Sequence, residues 1–212
     1  MGLFYCLLIF SIVTALATLI QQNKCSFGSI LIPALWGFGA VLPLYEEEGN
    51  QLAFGFTLPR FTGSLRYFLL SSLVVFPLYV LGYRLCVHWG FSMPVSTSFG
   101  QVSIPHWVLY NFLAVALFEE LFFRGFVQGR FEVFAKNRFP GSSSRFWIPV
   151  LVSSLLFALA HMAVYLDPLR LVVFFPGLLF GWLRAKTGFL LAPILSHGTA
   201  NLVSMLFTSS VL

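Results

Sequence analysis

Charge is what this chain most lacks. Only 9% of its 212 residues are Asp, Glu, Lys or Arg, against about 25% in a soluble domain. Hydrophobic residues make up 58% and the mean hydropathy is +0.90. Such a chain cannot clothe a water-facing surface, which excludes a soluble globular enzyme, a nucleic-acid-binding domain and a disordered chain. Cysteine is scarce too. Cys6, Cys25 and Cys86 have no metal-site spacing and cannot all pair, so no disulfide scaffold is implied. Acidic residues number 7 against 12 basic ones, a net charge of +5 and a pI of about 9.4. In a membrane protein that excess gathers in cytoplasmic loops beside anionic lipid, and it calls for no nucleic acid. Internal repeats, low-complexity tracts and the contiguous His-Glu-x-x-His of zinc proteases are also missing.

What is present is a succession of apolar runs, at 3–20, 29–45, 67–89, 107–126, 147–165, 169–183 and 189–207. About 20 apolar residues cross a bilayer, and a crossing backbone must satisfy its own hydrogen bonds. The runs therefore predict an all-α, polytopic transmembrane helical bundle of about seven spans, embedded in the lipid bilayer as a single domain over 1–212. Residues 1–105 are expected to supply N-terminal membrane helices, and 106–212 a four-helix core. Ala15-Leu16-Ala17 resembles a signal-peptidase site, but no Lys or Arg precedes the first run, which reads as a retained span. Beyond the acidic Glu46-Glu47-Glu48, the stretch 49–66 mixes Phe with Gly, Thr, Pro and Arg and reads as interfacial. With the 127–146 loop in the cytoplasm, Arg60, Arg66, Arg130, Lys136, Arg138, Arg145, Arg184 and Lys186 lie inside. Only Lys24, Arg84 and Arg170 then lie outside, and Arg124 falls near the inner end of the fourth span.

Several residues do not belong in lipid. Glu119 and Glu120 are adjacent within the fourth run, where one charge costs about 2.5–3.5 kcal/mol on translocon scales. Arg124 follows Glu120 by one turn on the same face, acid first, the favourable order for an ion pair. Glu119 points about 100° away around the helix, free for other work. The bland alternative makes both carboxylates structural, held by Arg124 and buried hydroxyls. His161 falls in the fifth run and His197 in the seventh, with Asn201 one turn after His197. His88 and His106 lie near the outer boundary and read as interfacial. Counting about 1.5 Å per residue from the inner ends of the runs puts Glu119, His161, His197 and Asn201 about 10, 21, 12 and 18 Å deep, and shifting each boundary by two or three residues brings them to one layer near the midplane.

A carboxylate, two imidazoles and an amide shielded by apolar helices can run hydrolysis. Desolvation disfavours charged side chains, which can poise a carboxylate as a general base near neutral pH. A His–Asn pair can donate to a developing oxyanion. Ser153, Ser154 and Ser196 have no compelling base, and packing or back-bonding suits them better. Glu, His and His could also hold Zn²⁺ with an open position, but no cofactor is the favoured expectation. Intramembrane Glu, His and Arg also build proton relays, so a transporter is one alternative and a non-catalytic bacteriocin-immunity protein another. Gly125-x-x-x-Gly129 and Gly177-x-x-x-Gly181 permit close helix approach, and Pro176 and Pro193 are expected to kink the sixth and seventh spans.

Taken in order, Glu119-Glu120-x-x-x-Arg124, Phe157-x-x-x-His161 and His197-x-x-x-Asn201 resemble the three motifs of the CPBP family of intramembrane proteases (CAAX proteases and bacteriocin-processing enzymes, or Abi family). The resemblance covers roughly 107–207 and makes the four-helix core of 106–212 the catalytic one. It implies a glutamate-dependent endopeptidase in which Glu119, assisted by His161, activates water. His197 and Asn201 would stabilise the oxyanion, Glu120 and Arg124 would hold the site together, and Phe157 would pack beneath His161. Substrates would be membrane-associated peptides or proteins, with processing of C-terminal tails or sorting signals one possibility. The compact chain and its short loops suggest a multi-pass protein of a prokaryotic plasma membrane.

Overall fold

Apolar side chains at every turn and few breakers leave helix as the only economical way to satisfy the backbone in lipid. The computed structural model describes residues 2–41, 61–90 and 103–209. They form seven helices: α1 (Leu3–Gln22), α2 (Gly28–Val41), α3 (Phe61–His88), α4 (Ile104–Arg138), α5 (Ser144–Tyr165), α6 (Phe174–Thr187) and α7 (Leu191–Ser209). A short 3₁₀ turn, Pro168–Val173, precedes α6. No strand occurs among the described residues. The protein is a helical membrane bundle. Segments covering α1, α3, α4, α5 and the 3₁₀ turn with α6 are long and apolar enough to cross a membrane. At 14 residues α2 is shorter, and α7 is interrupted by Ser196, His197 and Asn201. Glu46-Glu47-Glu48 and most of the 49–66 stretch lie outside the described residues.

Two sequence expectations need correction. The fourth span does not give way to a loop at 127, because α4 continues to Arg138. Gln128 is fully buried and ties this extension to α6 and α5, donating to the Gly181 carbonyl at 3.0 Å and accepting from Ser153 Oγ at 3.3 Å. Nor do Pro176 and Pro193 interrupt their helices. Both sit in the first turn, where a missing backbone N–H costs nothing.

α5 is central, packed between α1, the end of α4 and α6, while α7 lies against α3, α4 and α6. α3 is outermost, and Ser64 is its one buried residue. The core is aromatic. Trp36 of α2 packs, tilted, 4.9 Å from Phe122 and 5.0 Å from Phe123 of α4. Phe10 of α1 and Phe157 of α5 close on Phe123 at 6.4 and 5.0 Å. Small residues make this approach possible. A Cβ on Gly37 would stand 2.8 Å from the Phe118 ring, and one on Gly39 2.9 Å from both Phe122 and Val13.

Candidate active site

α4 carries the acids on an irregular stretch. Two wide π-type segments, Asn111–Ala116 and Leu121–Val127, flank the regular turn Leu117–Glu120. Such π turns are rare and reorient side chains relative to a plain α-helix. Glu119 is 8% exposed, and Glu120 and Arg124 not at all.

Glu120 is held through one hydrogen bond to its Oε1 and one ion pair to its Oε2, which like Glu119 Oε2 has no hydrogen-bond partner among the described residues. Its Oε2 lies 3.2 Å from Arg124 Nε and its Oε1 accepts from His197 Nδ1 at 2.8 Å. Arg124 also donates to the Gly177 carbonyl at 3.0 Å. Its guanidinium lies 4.5 Å from the Phe157 ring centroid and 5.5 Å from that of Phe180. Glu119 differs in what it faces. Its Oε2 is buried without a hydrogen-bond partner among the described residues, and faces His161 Nε2 at 3.7 Å and His197 Nε2 at 3.8 Å. Neighbours in sequence thus meet opposite surroundings: one carboxylate is clamped, the other faces two imidazoles.

The backbone fixes the tautomer of His161. Its Nδ1 is 2.9 Å from the Phe157 carbonyl oxygen, which only accepts, so Nδ1 carries a proton and Nε2 is the ring nitrogen turned to Glu119. Phe157 also packs its ring 4.3 Å from that of His161. His197 is gripped from two sides, by Phe180 stacked at 5.0 Å and 12° and by Phe157 edge-on at 5.8 Å.

Asn201 donates from Nδ2 to Asn111 Oδ1 at 2.9 Å, and Asn111 donates to the Gly198 carbonyl, also at 2.9 Å. The structure thus brings Glu119, Glu120, Arg124, Phe157, His161 and His197 into one connected cluster, with Asn201 joined to α4 through Asn111. Sequence reasoning missed Asn111, although an amide inside the fourth run was a signal. It also missed Phe180, for which the sequence offers none. Ser153 and Ser154 bond back to the Val150 carbonyl, in line with the packing role expected for them. Glu and His are donors that Zn²⁺ accepts, yet no group of three His, Cys, Asp or Glu side chains is arranged to hold a metal ion among the described residues.

Residues 101–203 match the family model described as type II CAAX prenyl endopeptidase Rce1-like. That window contains every residue of the cluster. No curated protein and no solved structure gives a significant match.

Proposed function

We propose that this chain, whose residues 101–203 match the Rce1-like family of type II CAAX prenyl endopeptidases, hydrolyses a peptide bond of a membrane-associated substrate with a water activated by Glu119. At the level of the family it is an intramembrane protease of CAAX type. The observation that carries the finer reading is the approach of Glu119 Oε2 to two Nε2 atoms at 3.7 and 3.8 Å. Those separations exceed a direct hydrogen bond and suit one water shared by all three groups.

Glu119 takes a proton from that water as its oxygen bonds to the carbonyl carbon, and His161 Nε2 accepts from and orients the same water. The carbonyl π pair moves onto oxygen. His197, with Nδ1–H donated to Glu120, can offer a second proton at Nε2 only as imidazolium. Asn201 has one Nδ2–H left after Asn111. These two donors face the developing oxyanion. The proton on Glu119 then passes to the amide nitrogen as the C–N bond breaks. No step needs a metal.

Substrates of this reading are C-terminal tails or sorting signals of membrane-associated peptides or proteins, and the setting is a prokaryotic plasma membrane. The test compares membranes from cells carrying the active protein with those carrying Glu119→Gln, by mass spectrometry of C-terminal fragments. A precursor that accumulates only in the variant supports the reading, and identical profiles overturn it. In proteoliposomes, 1,10-phenanthroline should leave turnover within about twofold, against the 10²–10⁴-fold typical of losing a general base.

A further inference from the structure

Arg170 stands beside this cluster without a task in it. α5 ends at Tyr165, and Leu166 adopts a left-handed conformation (φ 51°). Asp167 then caps the 3₁₀ turn by accepting from the Leu169 N–H at 3.0 Å. This reversal carries Arg170 back over the last turn of α5, with its Cζ 4.3 Å from the Tyr165 ring centroid. The Tyr165 ring is itself stacked at 6.4 Å and 29° from His161. The guanidinium therefore stands within about 11 Å of the His161 ring, the length of about three extended residues.

Its hydrogen-bonding capacity is unspent. Nε is buried with no hydrogen-bond partner among the described residues. The nearest carboxylate oxygen, Asp167 Oδ2, is 3.7 Å away, beyond hydrogen-bond range, and the other Asp167 oxygen is taken by Leu169. The side chain is 22% exposed, so the fork can be reached. An arginine held over a tyrosine ring presents a planar fork of donors that matches a carboxylate in two-point contact.

Resting on the protease reading above, we propose that Arg170 is a specificity residue that binds a carboxylate of the substrate within about three residues of the scissile bond. Either a free C-terminal carboxylate or an Asp or Glu side chain supplies that chemistry.

The test uses the full chain in nanodiscs and N-acylated peptides of mixed apolar sequence, made as free acids and as carboxamides, with and without Asp or Glu. Mass spectrometry reads initial rates for wild type, Arg170→Gln, Arg170→Lys and Glu119→Gln. Wild type should cut acids at least tenfold faster than neutral amides. Arg170→Gln should lose that preference, mainly through KM, while keeping its rate on neutral amides and its melting midpoint. Arg170→Lys, which keeps the charge but not the fork, should fall between. Amides cut fast only when Asp or Glu lies near the bond would assign the carboxylate to a side chain and support the proposal. Equal cutting of acids and neutral amides by wild type, or undiminished discrimination in Arg170→Gln, overturns it and leaves the protease reading standing. Cleavage that survives in Glu119→Gln, or none by wild type, instead removes that reading and this proposal with it.

Discussion

Glu119 and Glu120 are the same amino acid one position apart, and what separates them is the partner each meets. Glu120 sits between Arg124 and His197, at 3.2 and 2.8 Å. Removing one partner of a buried pair leaves an uncompensated charge, which costs about 3–5 kcal/mol. Arg124→Met should therefore lower stability by about that amount, read as earlier unfolding in detergent. Arg124→Lys should recover only part of it, because an ammonium cannot reach both Glu120 and the Gly177 carbonyl with a planar fork. A second prediction concerns Asn111. Asn111→Leu removes the acceptor that holds Asn201, so kcat in a cleavage assay should fall about tenfold or more if Asn201 donates to the oxyanion. Unchanged kcat would show that Asn201 needs no such orientation.

Between helices, backbone contact decides the geometry. Arg124 and Gln128 lie one turn apart on α4 and donate to the carbonyls of Gly177 and Gly181, one turn apart on α6. The glycine spacing was legible in the sequence because small residues four apart mark close approach. That α4 answers with a basic and an amide side chain was not. The same closeness recurs where α7 crosses α4. A Cβ on Gly198 would overlap the Phe112 ring, so Gly198→Ala should destabilise by about 1–3 kcal/mol, the usual cost of overpacking. Adding Phe112→Leu should return part of the loss, and a double-mutant cycle of unfolding midpoints measures the coupling. The π-type turns of α4 carry no visible mark in the sequence, since hydropathy reports the face of a helix and not its pitch.

At the scale of the molecule, the 101–203 window that carries the family match omits α1 and α2, yet both complete its core. Trp36, only 3% exposed, packs on Phe122 and Phe123, directly beside the motif helix. The Gln22 amide at the end of α1 also donates to the Val164 carbonyl at the end of α5, at 2.9 Å. Trp36→Ala should cost about 3–5 kcal/mol, as large-to-small core changes do, with loss of activity following loss of the fold. A fragment beginning at residue 103 should be degraded in membranes when expressed alone and be rescued by co-expression of residues 1–60. Stable accumulation of the fragment alone would contradict the role given to α1 and α2.

The sequence by itself determined that this is a helical membrane protein. Apolar run length and the need to satisfy every backbone group in lipid admit little else, and five of the seven runs fall in segments long and apolar enough to cross. It also singled out the acids and imidazoles, because ionisable groups in lipid are too costly to keep without use. The i,i+4 spacing also paired Glu120 with Arg124 and left Glu119 free, but only the tertiary structure decided that His197 joins Arg124 in holding Glu120, which atom of His161 holds its proton, and that Asn111 and Phe180 complete the surroundings of α7. Those facts depend on helix rotation and on contacts between residues tens of positions apart, and periodicity along one chain carries no information about either.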